Sequence, residues 1–208
     1  RCARVGTSFG GLVAARLALR APGRVRRLVL ISSAGLGREM SPLVRLLSVP
    51  LLGRWILRPS PRGTRLVFRL LLTSERRSIT PELERAMIEY LWRSDEAGDP
   101  VVMARAYRMF CSPVGQRERL AASELASLEM PILLVWGERD VFFPCSQARR
   151  AAAAIPGARL SLLPRVGHSP NWEAPTALLN TLLPFLSAES ALADRSDGLR
   201  LDPSGWAV

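Results

Sequence analysis

The 208-residue sequence contains no lysine, three cysteines and one histidine, and only 6% of its residues are aromatic. All 29 basic residues are therefore arginine, against 18 acidic residues, and the net charge is +11. The arginines are spread from Arg1 to Arg200, whereas a nucleic-acid-binding surface clusters its cations and places aromatic residues among them. We therefore expect a solvated basic surface and no nucleic-acid partner.

The cysteines are unsuited to a disulfide framework or a metal centre. Cys2, Cys111 and Cys145 are odd in number, far apart and without metal-ligand spacing. This usage favours a reducing compartment, so we expect a cytoplasmic protein and predict no metal site.

Long uncharged apolar runs are also missing. The stretches 43–57 and 66–72 are interrupted by arginines and by Pro50, and both are shorter than the roughly 18 residues of a membrane-spanning helix. The first residues show neither an initiator methionine nor the apolar core of a signal peptide, which indicates a chain that begins within a domain. With 48% hydrophobic residues, the chain can bury a core as one domain with an insertion.

Strand and helix patterns alternate in two parts of the chain. Residues 5–32 fit a strand end, a glycine-rich turn, an Ala/Leu-rich helix and a strand at 25–31. After Pro131 we predict strands at 132–136 and 159–163, a helix near 146–154 and a last helix over 175–186, with Pro184 as a candidate kink. In the first helix, the residues expected to face the sheet are Leu12, Val13 and Leu17, and those expected to face solvent are Arg16, Arg20 and Arg24.

Residues 36–127 have a different pattern, with helical segments, Pro and Gly breaks and no convincing strand. The clearest predicted helix runs over 81–92, with Thr80 as N-cap and Pro81 at the first helical position. We therefore predict an α/β core over 1–35 and 128–187, a helical insertion over 36–127 and a mobile tail over 188–208.

Residues 6–10, Gly-Thr-Ser-Phe-Gly, match the pattern G-x-S-x-G between a predicted strand and a predicted helix. A sharp strand-to-helix turn holds such a serine in a strained backbone conformation and exposes its hydroxyl. The residues two before and two after the serine must then be small, as Gly6 and Gly10 are. Ser8 is therefore a candidate nucleophile.

A serine nucleophile needs a base, and the base needs a third group that fixes its tautomer. The single histidine, His168, lies in a loop after a predicted strand and is the candidate base. Asp140, in the loop after the strand at 132–136, is the candidate acid, with Glu138 as its competitor. Asp140 is favoured because its loop lies beyond the carboxyl end of a strand, and because its spacing from His168 accommodates a helix and a strand.

The order Ser8, Asp140, His168 on β-turn-α-β units resembles the α/β-hydrolase fold family, in its subgroup with a helical cap. The resemblance rests on residues 6–11, on the strand 28–32 with the following Ala34-Gly35, and on residues 131–140 and 167–175. It implies an α/β fold with a mostly parallel sheet and a Ser-His-Asp triad that works through an acyl-enzyme. It also implies that the backbone N–H of Phe9 is an oxyanion-hole donor and that no cofactor is needed.

The sequence departs from the family before the nucleophile elbow, the sharp turn that carries Ser8. In the family the nucleophile elbow follows the fifth strand, whereas only residues 3–5 stand before it here. The resemblance thus implies that four strands and one oxyanion-hole donor are missing. Because one lost donor costs about 10²–10³ in rate, we expect this chain alone to be weakly active or inactive.

The insertion is rich in apolar residues, which favours a small-molecule acyl substrate with an apolar part, an ester first of all. Packing between cap helices would bury the same residues. Residues 8–11, Ser-Phe-Gly-Gly, together with Asn171, Trp172 and Glu173, also resemble the ring-cleavage-product hydrolases, which split carbon–carbon bonds of dienoates. That resemblance implies that Arg105 or Arg108 binds the substrate carboxylate. The candidate lining residues are Leu46, Leu47, Leu51, Leu52, Trp55, Val67, Phe68, Leu71 and Met87.

Two other classes of function stay open. Residues 42–72 place six arginines among leucine and isoleucine with no acidic residue, a composition that suits weak contact with an anionic membrane surface. A non-catalytic interaction module is the second alternative. The oligomeric state is not indicated by the sequence.

Overall fold

The structure is a computed structural model that describes residues 1–46, 48–49, 51–52, 73–74, 80–82, 84–86, 89 and 108–188. Its strands are β1 (Cys2–Thr7), β2 (Val25–Ile31), β3 (Cys111–Ser112), β4 (Gly115–Gln116), β5 (Ile132–Gly137) and β6 (Arg159–Leu163). Its helices are α1 (Phe9–Arg20), α2 (Pro42–Leu46), α3 (Ala122–Ala126), α4 (Ser146–Ala154), α5 (Pro170–Glu173) and α6 (Pro175–Ser187). A 3-10 turn, Pro22–Arg24, joins α1 to β2.

The centre of the fold is a four-stranded parallel sheet in the order β1-β2-β5-β6. The β1–β2 and β2–β5 pairings align Thr7 with Ile31 and Ile31 with Val135, so these strands end at one edge. The loops that follow them meet there. This confirms the predicted α/β fold with a mostly parallel sheet, and the three strands predicted at 25–31, 132–136 and 159–163 are present.

Side chains alternate across the sheet and form two separate cores. On one face, Leu28, Leu30 and Trp136 pack with α1 and α4. On the other face, Val29 and Val135 pack with α6, which continues through Pro184 as one helix. Helices therefore cover both faces of the sheet, and for that reason the middle strands are apolar over residues 28–31 and Ile132–Gly137.

Helix α1 packs on the sheet through its small residues. Ala15 and Ala18 are fully buried, and Leu12 is buried beside them. The expectation that Val13 and Leu17 also face the sheet is wrong, because these side chains are 53% and 36% exposed. Residues 11, 15 and 18 share one face of the helix and bring its backbone close to the sheet, while Val13 lies on another face.

Arg16 of α1 does more than face solvent. Its guanidinium forms an ion pair with Glu124 of α3 and donates to the carbonyl of Arg119 at 3.0 Å. The hydrogen bond from the Ala121 N–H lowers the pKa of the Glu124 carboxyl, and the positive charge of Arg16 lowers it further. Arg16 thus joins α1 to the segment that leads back into the sheet.

Strands β3 and β4 form an antiparallel hairpin inside the region 36–127, where the sequence analysis predicts no strand. The expectation is wrong at this point. Cys111 pairs with Gln116, and Ser112 pairs with Gly115, whose φ of 125° suits glycine. Two-residue strands are too short to produce a periodic sequence pattern.

Much of the predicted insertion lies outside the described residues. Of the predicted helix over 81–92, residues 81–82, 84–86 and 89 are described, and all are helical. Leu46 and Leu51, two of the candidate pocket residues, are 43% and 81% exposed, and Leu52 is half-buried. The division into 1–35, 36–127 and 128–187 stays a prediction.

The other candidate pocket residues, Arg105 and the predicted tail after Ala188 also fall outside the described residues. The arginine-rich segment 42–72 is described only at 42–46, 48–49, and 51–52, so its membrane contact stays a prediction. Within the described ranges, no helix is long and apolar enough to cross a bilayer.

Candidate active site

Ser8 lies in the tight turn between β1 and α1. Its φ of 53° and ψ of −122° are strained for a residue with a side chain. Its N–H donates to the carbonyl of Ile31 at 2.9 Å, and its carbonyl accepts the N–H groups of Gly11 and Ala34, both at 3.0 Å. These bonds to two neighbouring segments maintain the strained conformation.

Two glycines make this turn sterically feasible. A Cβ on Gly6 would come within 2.7 Å of the Gly11 Cα, and a Cβ on Gly11 within 2.7 Å of the Ser33 Cβ. The expectation that residue 10 must be small is wrong, since a Cβ added at Gly10 meets no described atom within 4 Å. Close approach in this elbow therefore depends on Gly6 and Gly11.

His168 lies in the loop between β6 and α5 and is 4% exposed. Its Nε2 atom is 3.1 Å from the Ser8 Oγ. The imidazole stacks on the ring of Phe142 at a centroid distance of 4.5 Å, and the Phe143 ring meets it edge-on at 5.3 Å. These two aromatic rings restrict the imidazole orientation.

Asp140 lies in the loop after β5, and its Oδ2 atom is 2.9 Å from the His168 Nδ1. Its Oδ1 accepts the backbone N–H groups of Phe142 and Phe143 at 2.8 and 2.9 Å. The carboxylate is thus held by its own loop through Oδ1, independently of its contact with the histidine through Oδ2. Glu138, the competing acid, is exposed.

The hydrogen-bond network assigns the histidine tautomer. A carboxylate at Nδ1 accepts a hydrogen bond, so the ring proton belongs on Nδ1 and the Nε2 lone pair faces the serine hydroxyl. The structure therefore brings the three predicted residues, Ser8, His168 and Asp140, into one continuous hydrogen-bonded chain. Such a chain can move the hydroxyl proton to the imidazole.

Phe9, the predicted oxyanion-hole residue, is the first residue of α1. Its N–H has no intrahelical acceptor and lies at the helix end that favours negative charge. Its ring packs against Phe110 at 5.3 Å, just before β3. Phe9 thus has a backbone donor next to Ser8 and a side chain that contacts the segment before the hairpin.

Sequence reasoning missed the two aromatic residues beside the histidine, and it named Glu173 without a role in the histidine loop. Phe142 and Phe143 follow the acid directly, and an aromatic pair beside a loop carboxylate is a signal that could have suggested the stacking. Glu173 accepts the Gly167 N–H at 2.8 Å, so its carboxylate contacts the histidine loop. The described part of the chain holds no group of three or more His, Cys, Asp or Glu side chains suited to a metal ion.

Together, the parallel sheet with helices on both faces and the serine in its strained turn define a fold family. The chain belongs to the alpha/beta hydrolase fold family, whose profile matches residues 3–175. The resemblance of the sequence to the α/β-hydrolase fold family is thereby confirmed.

Three known proteins illustrate the breadth of this similarity. A 2-hydroxy-6-oxononadienedioate/2-hydroxy-6-oxononatrienedioate hydrolase of Comamonas testosteroni is 25% identical over 183 residues, which cover 88% of this chain and 62% of that protein. A variant of CumD, a meta-cleavage product hydrolase from Pseudomonas fluorescens, matches with a TM-score of 0.70 and 27% identity, over 87% of this chain and 63% of its own. The carboxylesterase CesB from Bacillus subtilis matches with a TM-score of 0.68 and 25% identity, over 89% and 60%. The chain thus spans about 60% of the length of these relatives.

Proposed function

We propose that the protein is a serine hydrolase in which Ser8 is the nucleophile, His168 the general base and Asp140 the residue that orients the histidine. The observation that carries the proposal is the unbroken hydrogen-bonded chain, 3.1 Å from Ser8 Oγ to His168 Nε2 and 2.9 Å from Nδ1 to Asp140 Oδ2. Family membership supports it as well.

In the proposed reaction, Ser8 Oγ attacks the acyl carbonyl while His168 Nε2 takes the hydroxyl proton. The Phe9 N–H stabilises the oxyanion of the tetrahedral intermediate. His168 then returns the proton to the leaving group, which departs and leaves an acyl-enzyme on Ser8. A water molecule, deprotonated by the same histidine, hydrolyses the acyl-enzyme and restores the serine.

An apolar acyl ester is the first substrate class, and the similarity to the carboxylesterase CesB supports it. A carbon–carbon bond hydrolase acting on ring-cleavage dienoates is the second candidate, and the similarity to the Comamonas hydrolase and CumD supports that. Of the arginines suggested for a dienoate carboxylate, Arg108 is described and half-buried.

Fluorophosphonate labelling tests the nucleophile, because only an activated serine reacts with such a probe. We expect wild-type protein to be labelled and Ser8→Ala to be unlabelled. Ser127→Ala, which removes an exposed hydroxyl at the end of α3, is the matched control and should be labelled like wild type. Equal labelling of wild type and Ser8→Ala would contradict the proposal.

Substrate class is tested by comparing p-nitrophenyl butyrate with a 2-hydroxy-6-oxohexa-2,4-dienoate. Release of p-nitrophenol and loss of the dienoate absorbance are followed for the wild type and for Ser8→Ala. Faster Ser8-dependent turnover of the ester supports the first class, and faster turnover of the dienoate supports the second. Slow turnover of both, with labelling at Ser8, is the result expected if one oxyanion-hole donor acts alone.

A further inference from the structure

The carboxylate of Glu173 lies between the histidine loop and a short segment of the predicted insertion. Its Oε1 atom accepts the N–H of Gly167 at 2.8 Å and that of Ser169 at 3.4 Å. Its Oε2 atom accepts the backbone N–H of Ser74 at 2.7 Å and the Ser74 hydroxyl at 2.9 Å. One side chain therefore gathers donors from two segments that are about a hundred residues apart in sequence.

The two donors on the Oε1 side flank His168 directly. The Gly167 N–H and the Ser169 N–H lie on the N-terminal and C-terminal sides of the histidine, so a single oxygen anchors the backbone on both sides of it. Glu173 itself is held by its N–H, which donates to the Ser169 carbonyl at 2.9 Å. The carboxylate and the loop thus fix one another.

The two donors at Oε2 both belong to Ser74, and they hold residues 73–74 against the same loop. A Cβ on Gly167 would come within 2.8 Å of the Ser74 nitrogen and 2.9 Å of Glu173 Oε1, so the contact leaves no space. The single Ser74 hydroxyl proton is shared between Glu173 Oε2 and a second acceptor, the carbonyl of Arg165, a non-glycine residue with a φ of 63°. Residues 73–74 therefore cover the histidine loop at the place where Glu173 holds it.

We propose that Glu173 is a positioning residue that acts through His168, and that it makes alignment of the base depend on the seating of Ser74 on the histidine loop. The inference rests on the proposed function, because it gives Glu173 a role in a reaction carried by Ser8 and His168. Both carboxylate oxygens are needed, one for the loop and one for Ser74. A charged acceptor also forms stronger hydrogen bonds to N–H groups than a neutral one.

The glutamine variant distinguishes a hydrogen-bonding role of Glu173 in positioning His168 from a role of its side chain in packing. Glu173→Gln keeps the shape of the side chain, but its single carbonyl oxygen can serve only one of the two sides, and its NH₂ group opposes the donors on the other. Glu173→Ala removes both sides, whereas Ser74→Ala removes only the hydroxyl and leaves the Ser74 N–H in place. Glu129→Ala, which removes an exposed carboxylate, is the matched control.

The experiment measures fluorophosphonate labelling of each variant as a function of probe concentration, together with thermal unfolding. We expect the maximum labelling rate to fall about 100-fold in Glu173→Ala, about 10-fold in Glu173→Gln and about 3-fold in Ser74→Ala, since small misplacements of a catalytic group cost up to about 10². The probe concentration at half-maximal rate should stay within about 2-fold, because the loss concerns the reacting step. Glu129→Ala should match wild type.

A double-mutant cycle tests the link to Ser74. If the Ser74 hydroxyl acts through Glu173, Ser74→Ala has no further effect on the labelling rate in the Glu173→Ala background. Additive losses would overturn the link. Should Glu173→Ala fail to fold, the glutamine variant decides, and wild-type labelling by folded Glu173→Gln would overturn the inference.

Ser8→Ala separates this inference from the proposed function. Undiminished labelling of Ser8→Ala contradicts the nucleophile itself. Loss of labelling in Ser8→Ala together with wild-type labelling in folded Glu173→Gln leaves the serine hydrolase standing and removes only the role of Glu173.

Discussion

Gly137 and Val166 lie in such close contact that a Cβ on Gly137 would come within 2.7 Å of the Val166 carbonyl carbon. Gly137 ends β5 just before the loop of Asp140, and Val166 lies in the loop of His168, two residues before the histidine. The Arg139 N–H also donates to the Val166 carbonyl at 2.9 Å. The distance between the acid and the histidine is therefore set by backbone packing as well as by their own hydrogen bond.

This contact predicts that Gly137→Ala pushes the two loops apart. Overpacking against backbone typically costs about 1–3 kcal/mol, so the free energy of unfolding should fall by that amount. The fluorophosphonate labelling rate should fall about 10-fold or more, because the imidazole moves relative to Ser8.

Gly23→Ala is the control for this change, since a Cβ there meets no described atom within 4 Å. It should unfold and label like wild type. Wild-type labelling and stability in Gly137→Ala would contradict the prediction, because the two loops could then move apart without displacing the imidazole.

The elbow glycines predict different outcomes for two similar substitutions. Gly6→Ala should fail to form the turn, because its Cβ would meet the backbone of Gly10 and Gly11. Gly10→Ala should fold with an unfolding temperature equal to or above that of wild type, since its Cβ has space and alanine favours the helix by up to about 1 kcal/mol. Thermal unfolding followed by circular dichroism measures both, and equal destabilisation by the two changes would contradict the geometry of the elbow.

The elbow also illustrates how far the sequence predicts this fold. The strands could be predicted because a parallel sheet covered on both faces needs continuous apolar runs, as in β5, Ile132–Gly137. The G-x-S-x-G pattern located the turn, yet the pattern could not tell that Gly11 rather than Gly10 carries the steric requirement. That distinction depends on Ser33, which belongs to the loop after the neighbouring strand.

The rest of the site depends on contacts that sequence patterns do not encode. The face of α1 that packs on the sheet was predicted wrongly, because alanines make the helix–sheet contact. Alanine is a weaker apolar signal in the sequence than Val13 and Leu17. The role inferred for Glu173 depends on Ser74, 99 residues away in the chain. The stacking of Phe142 on His168 likewise joins two loops that only the folded sheet brings together.

The cysteines give a prediction about thiol reactivity. Burial raises the pKa of the Cys111 thiol to about 12, so only about one molecule in 10⁴ carries the thiolate at pH 8. Cys2 is exposed, and Cys145 is half-buried. In the native state at pH 8, Ellman's reagent should therefore react rapidly with Cys2 and leave Cys111 unmodified until the protein unfolds.

Cys111→Ser provides the check on this assignment. The native-state count of reactive thiols should be unchanged by the substitution, whereas the count in denaturant should fall by one. A lower native-state count in Cys111→Ser would mean that this thiol is accessible and that the hairpin does not bury it.

Asp140→Asn is predicted to cause a large loss of activity with almost no change in the shape of the side chain. The asparagine carbonyl can keep the hydrogen bonds from the Phe142 and Phe143 N–H groups, which turns the amide NH₂ towards His168 Nδ1. A donor at that place makes Nδ1 an acceptor and moves the ring proton to Nε2, where the imidazole can no longer accept the serine proton. We expect ester hydrolysis and labelling to fall by about 10⁴ with little change in the unfolding temperature, because the tautomer and not the fold is altered. Glu138→Gln, an exposed carboxylate in the same loop, should keep wild-type rates, so equal rates for the two variants would refute the part assigned to Asp140.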